Sequence, residues 1–287
     1  MTAKEILQQL EKMGSASIKK VYMNHGAQEP FFGVKVGDMK TIVKQVKQNH
    51  QLAMELYASG NSDAMYLAGL ISSPGEMSRE DLQLWMKNAR WYMHSEFTVA
   101  WTASESKYAR ELAMEWIGSS KEPEAAAGWS TYASYIQITP NDQLDIKEVE
   151  TLLKRVEKEI AKSPNRVRYA MNGFLIMAGS QIESLHARSL DVAGKIGKVE
   201  VEMGGTACSV PDVLDDFGFF LLASGLRLGA DPNGECLHVD GSCRFLPVEM
   251  DHWPVCAEIQ FVSHKGQEIP CMIIGLRADQ ISSHESK

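Results

Sequence analysis

EPFFGVKVGDMKTIVKQVKQNHQLAMELYASGNSDAMYLAGLI, Glu29 to Ile71, is the stretch whose reading decides the fold. Within GDMKTIVKQVKQN, Met39, Ile42, Val43 and Val46 recur at i, i+3, i+4 and i+7, the spacing of one apolar stripe on an α-helix. HQLAMELYAS and NSDAMYLAGLIS follow as two more short helices, with Gly60-Asn61 as the break between them. No strand alternation intervenes. Such a run predicts short helices that bury their apolar faces on their neighbours.

The same rhythm extends in both directions. Residues 2–13 set Ile6, Leu7, Leu10 and Met13 on one face. Ser78-Arg-Glu-Asp81 is a capping-box-like start for DLQLWMKNA. SESKYARELAMEWIGSS reads as an amphipathic helix ending at Gly118, and Pro123 can open the next, which runs through Trp129. Thr139-Pro-Asn-Asp breaks the chain before the strongly periodic LDIKEVETLLKRVEKEIAKS. Ser163-Pro164-Asn165 separates that helix from RVRYAMNGFLIMAGS, and QIESLHARSLDVAGKIG follows. Helix pairs recur at about 35–45 residues, which suits an α-solenoid of HEAT type. After Gly197 the character changes. VEVEMG alternates like a strand, and AEIQFVSHKGQEIPCMIIGL reads as two short strands around a Lys-Gly turn. The expected architecture is an all-α, right-handed superhelix of HEAT-like helix pairs over residues 1–212. A small irregular or β-containing C-terminal tail, residues 213–287, follows with no assigned role.

Hydrophobic content of 44% and charged content of 23% are ordinary for a soluble globular protein. No apolar run reaches the ~18 residues of a membrane span. The start, MTAKEILQQLEKMG, has no signal-peptide core, so a cytoplasmic location and no membrane partner are expected. The net charge of −8 is uneven: residues 1–214 hold 24 Lys+Arg and 26 Asp+Glu, giving −2, and residues 215–287 hold 5 and 11, giving −6. Overall acidity argues mildly against tight nucleic-acid binding, but the near-neutral first part leaves room for a basic face. All five cysteines lie after residue 207, in an odd count without regular spacing, so no disulfide framework is read. Cys236, His238, Cys243, His252, Cys256 and Cys271 lack the paired C-x2-C knuckle of a zinc site, and no metal is assigned. Neither a P-loop nor a dinucleotide fingerprint is present, and no cofactor is expected.

The Glu29–Ile71 stretch, with RWYMHSEFTVAW, GWSTYASY, NRVRYAMNGFLI and the IGKVEVEMGGTAC segment, resembles the DNA alkylation repair family of HEAT-like repeat proteins over residues 5–212. The resemblance implies a solenoid whose concave basic face cradles duplex DNA. Active members are glycosylases that cut the bond between a cationic alkylated purine and its sugar. Their site comprises a Trp, an Asp four residues later, an Arg from the next repeat and a second Trp. A carboxylate stabilises oxocarbenium character on the sugar, aromatic faces attract the cationic base, and Arg holds phosphate bidentately. Carried onto this chain, Tyr92 and Glu96 match the aromatic and the acid, with Trp91 beside them, and both would carry the chemistry. Phe174 occupies the second aromatic position. The Arg is absent: Ala127 stands about where it would be, and no basic residue lies between Lys121 and Lys147.

Lys40 and Lys44 share a helical stripe with Lys47, and Arg166 and Arg168 open a helix, where backbone N–H groups also favour phosphate. These four are the expected phosphate contacts, the plain alternative being a solvated face. Trp101 and Glu105 repeat the aromatic-to-acid spacing and, with Trp129, are read as groove-lining; packing between repeats is the competing role. In ARWYMHSEFTVAW the competing reading makes Trp91 core and Glu96 a solvated end, with His94 a surface or hydrogen-bonded side chain and not a base. The resulting expectation is a DNA-binding protein with duplex DNA as partner, excising alkylated purines through Glu96. Its alternatives are a non-catalytic binder of damaged or branched DNA, and a HEAT scaffold for a protein partner.

Overall fold

The computed structural model describes residues 1–204, Val210, Pro211 and Val213, together with the backbone of four strands between residues 254 and 277. The chain divides into two compact units. One comprises Met1–Thr206 with Val210–Ser224, and the other Ala207–Ser209 with Gly225–Lys287.

The first unit is a succession of helices: α1 (Ala3–Met13), α2 (Ala16–Asn24), α3 (Lys40–Val46), α4 (His50–Ala58), α5 (Ser62–Ile71), α6 (Arg79–Asn88), a π-helix (Met93–Val99) running into α7 (Ala100–Ser104), α8 (Ala109–Ile117), α9 (Glu122–Ile138), α10 (Ile146–Glu159), α11 (Asn165–Gln181) and α12 (His186–Ile196). The starts follow from capping chemistry. Thr2 and Glu5 form a capping box on α1, Ser78 and Asp81 form one on α6, and Asn49, Asn61 and Asp145 cap α4, α5 and α10. Each cap satisfies an N–H that the helix itself leaves open.

The predicted stripes face the core, with Leu7, Met13, Val43 and Val46 partly buried against it. Ile6 and Leu10, Met39 and Ile42, Leu52 and Leu56, and Leu82 with Trp85 meet in one apolar cluster. Tyr57 stacks on Trp85 with ring centroids 4.2 Å apart, and its hydroxyl donates to Trp85 O at 2.7 Å. Helices pair along the chain, α4 on α5, α8 on α9, α9 on α11 and α11 on α12. This is the all-α HEAT-like architecture expected.

Two helix glycines allow close approaches between elements. A Cβ on Gly69 of α5 would lie 2.8 Å from Thr98 Cγ2 of the π-helix. A Cβ on Gly128 of α9 would lie 2.8 Å from the Trp116 carbonyl carbon and 2.9 Å from Ala113 O. The preceding Ala125, Ala126 and Ala127 are buried in the same approach. Ala127 is fully enclosed, so the helix that by resemblance should supply an arginine has no room for one there.

In the second unit the backbone forms β1 (Pro254–Glu258), β2 (Phe261–Val262), β3 (Glu268–Ile269) and β4 (Ile273–Arg277). β1 pairs antiparallel with β4, Cys256 opposite Gly275, and β2 with β3, Phe261 opposite Ile269. The two strands expected around the Lys-Gly turn are thus each divided in two. The Cys/His stretch lies outside the described residues except for this strand backbone.

Because Gly128 faces backbone rather than a yielding side chain, Gly128→Ala should destabilise the protein by about 1–3 kcal/mol. That loss outweighs the gain of about 1 kcal/mol that alanine brings to a helix interior. A lowered urea midpoint with unchanged slope is the expected result.

Candidate functional site

The segment ARWYMHSEFTVAW does not form a plain α-helix. Met93–Val99 is a π-helix, a wider turn with i→i+5 bonding that is found mostly as short bulges and frequently at functional sites. His94, Ser95 and Glu96 all lie buried within it. The competing readings of Glu96 as a solvated end and His94 as a surface residue are overturned. The hydrogen-bonded reading of His94 agrees with the structure: Nε2 meets Ser62 O at 3.1 Å, and Nδ1 faces the Arg90 N–H at 3.4 Å. This pattern assigns the neutral tautomer with the proton on Nε2. Burial pushes its pKa down to about 4.

Glu96 meets Arg166. The guanidinium donates from Nε to Oε1 at 2.8 Å and from Nη2 to Oε2 at 2.5 Å, a bidentate pair across 70 positions of sequence. The carboxylate side chain is 2% exposed and the guanidinium 17%. Burial pushes the Glu96 carboxyl above its usual range, against the pull of Arg166. The same guanidinium lies 4.2 Å from the Tyr92 ring centroid and 4.4 Å from that of Tyr169, so aromatic rings flank it on two sides. Its backbone N–H donates to Glu122 Oε1 at 2.7 Å. The carboxylate of Glu122 thereby holds the α11 N-terminal position that the sequence reading reserved for phosphate. Arg166 lines the pocket, with its guanidinium bonded to Glu96.

Around this pair lies a cleft of about 400 Å³. Trp91 and Tyr92 line it, with Asn24, His25 and Gly26 from the end of α2, and Glu202 to Gly204 opposite. Trp91 donates its indole N–H to His25 O at 2.7 Å, and the Tyr92 hydroxyl lies 3.4 Å from His25 Nδ1. Asn165 clamps the 202–204 segment, accepting from Glu202 N at 2.8 Å and donating to Glu202 O at 2.9 Å.

The structure brings Trp91, Tyr92, Glu96 and Arg166 together. Phe174 and Trp129 require correction. Both are fully buried and pack edge to face at 5.0 Å, so neither can face DNA or line a groove. Their size and apolar character serve the contact between α9 and α11. Trp101 is partly buried against the core with its ring edge on Phe97, and Glu105 ends α7; neither lines the cleft. Lys40 and Lys44 are exposed on α3, away from the cleft lining, and Arg168 is half-buried with Nη2 3.4 Å from Asn165 Oδ1. His25, Glu122, Asn165 and Tyr169 escaped the sequence reading, because nothing local links them to Glu96. Among the described residues no cluster of metal-ligating side chains occurs, and no helix is long and apolar enough to cross a membrane.

A family model described as DNA alkylation repair enzyme matches residues 6–195. The chain is 34% identical over 211 residues to an uncharacterized protein of Listeria monocytogenes, covering 72% of this chain and 91% of that one. It is 33% identical over 211 residues to an uncharacterized protein of Listeria innocua, with the same coverage of 72% and 91%. A solved structure similar at TM-score 0.71 and 38% identity spans 78% of this chain and 95% of its own. It represents a family of proteins related to the HEAT-like repeat DNA glycosylases with affinity for branched DNA structures.

Removing one partner of a buried ion pair strands the other. Glu96→Gln should cost about 3–5 kcal/mol, and Glu96→Leu combined with Arg166→Met should recover most of that loss in urea unfolding. His94 gives a separate signature. Its folded-state pKa, about 4, lies below the ordinary 6.5, so the unfolded chain binds the extra proton in that interval. Stability should therefore fall as pH drops from 6.5 toward 4, by up to about 3 kcal/mol, and His94→Gln should flatten that slope.

Proposed function

Because this chain belongs to the DNA alkylation repair family, we propose that it is a DNA-binding protein of that family which recognises non-standard DNA, branched forms above all, without excising bases. The observation that carries this reading is the bidentate Glu96–Arg166 pair. Excision needs a carboxylate whose negative field is available to the developing oxocarbenium ion. Both oxygens of Glu96 are engaged by a cation inside the protein, and the side chain is 2% exposed. Its charge is cancelled before a sugar could approach. The similarity to a solved protein from a family with affinity for branched DNA supports the same choice of ligand.

Contact with DNA would then rest on exposed side chains. Lys40 and Lys44 are exposed, and Lys40 has no ion pair among the described residues. Phosphate contacts of this kind position the nucleic acid without reading bases. The first 214 residues carry a net charge of −2, 24 basic against 26 acidic groups, so attraction would come from local clusters rather than the whole surface.

A gel-shift titration at low salt with a four-way junction and a matched duplex tests the reading. The junction should bind more tightly, and affinity should fall steeply with added salt. Lys40→Ala and Lys44→Ala should each reduce the salt slope by about one. Methylated duplex incubated with the protein should release no free base. Base release that disappears in Glu96→Gln would restore the excision reading, and failure to bind either probe would leave a protein-binding scaffold.

A further inference from the structure

The helix α2 is unlike the others in what it leaves uncovered. None of its residues is buried. Tyr22 anchors it, donating to Val34 O at 2.8 Å and setting its ring 5.3 Å from that of Trp91. Lys19 holds the same side, paired with Glu29 at 2.6 Å and lying 5.1 Å from the Phe31 ring centroid. At 3.6 residues per turn the opposite side must present Ser17, Lys20, Val21, Met23 and Asn24, and all five are exposed. Val21 is 47% exposed and Met23 56%. Of the five large hydrophobic side chains exposed among the described residues, two thus fall within one turn of this helix.

Their placement makes a ridge. Val21 and Met23 occupy its two flanks, because positions two apart are turned some 200° around the axis. Lys20 and Asn24 form the crest between them. The sequence of α2, ASIKKVYMN, contains no acidic residue, and Lys20 forms no ion pair among the described residues. The ridge ends at Asn24, His25 and Gly26, which line the cleft of Trp91 and Tyr92.

Resting on the DNA-binding reading above, we propose that α2 is the wedge that recognises a DNA branch point. Where arms diverge, each ends in a base pair with one unstacked apolar face, and the phosphates converge. Apolar side chains that enter at base steps are a recurrent device of DNA-bending proteins. Val21 and Met23 would each cover one exposed face, and Lys20 would sit among the converging phosphates. A continuous duplex keeps its base faces stacked internally and offers the flanks nothing. The apolar flanks therefore contribute to the preference for branches over duplex, whereas Lys20 adds affinity for both.

The test uses the full chain and surface substitutions that remove no buried contact. Binding of a four-way junction and of a matched duplex is measured by fluorescence anisotropy for wild type, the double variant Val21→Ser/Met23→Ser, and Lys20→Ala. The double variant should lose about tenfold or more in junction affinity, as apolar contact with the exposed base faces is removed, and keep its duplex affinity within about twofold. Lys20→Ala should weaken both probes and lower the salt slope by about one. A 2-aminopurine at the branch should change emission with wild type and much less with the double variant. An unchanged junction affinity in the double variant, or equal losses on both probes in it, would overturn the wedge while wild-type binding still upheld the DNA reading. Wild type that binds neither probe would instead overturn the DNA reading itself, and the wedge with it.

Discussion

The contact between Arg166 and Glu96 organises the site around it. Taking two charges out of water costs several kcal/mol for each, and only good geometry with further partners offsets that cost. Here both carboxylate oxygens are bonded, and the guanidinium lies beside Tyr92 and Tyr169. Around it Glu122 receives the Arg166 N–H, and the neighbouring Asn165 clamps Glu202. Residues from 24 to 204 surround this one cleft, and within it the ion pair links the π-helix to α11.

A second buried charge plays a similar part near the start of the chain. Asp63, in the first turn of α5, accepts the backbone N–H groups of Phe32, Gly33 and Val34 at 2.5, 3.1 and 3.0 Å. Burial pushes its carboxyl up, and those three donors pull against the rise. Gly33 has φ +80, and a Cβ there would lie 2.7 Å from the Lys19 N and Ser15 O atoms. The FFGV turn is thus a cradle of N–H groups built for a carboxylate. The adjacent Ser62 carbonyl meets His94, so the first turn of α5 ties that loop to the π-helix. Residues that carry the family resemblance here tie the FFGV turn to α5 and, through His94, to the π-helix.

Legibility differed by feature. Stripes such as Ile6 and Leu10, or Met39 and Ile42, were readable because helical period alone decides which face is buried. The cap at Ser78 was readable because its partner Asp81 lies three residues on. Aromatic roles were not. Trp91 and Trp129 have the same side chain, yet one lines a cleft and the other is fully enclosed against Phe174. The outcome depends on which helix crosses which, and no local spacing encodes it. The π-turn was likewise hidden: the Met93–Val99 segment packs against α9, α5 and α6, partners that no local spacing encodes.

By itself the sequence determined the short paired helices of the first 197 residues and the change of character after Gly197. These follow from periodicity, capping and turn chemistry, which act over a few residues. Only the tertiary structure decided that Glu96 is buried and that its charge is answered by an arginine 70 positions away, where Ala127 leaves no room for one on α9. The physical reason is that the pairing of charges depends on distance in space. A carboxylate in water and one held by a guanidinium carry the same letter in the sequence.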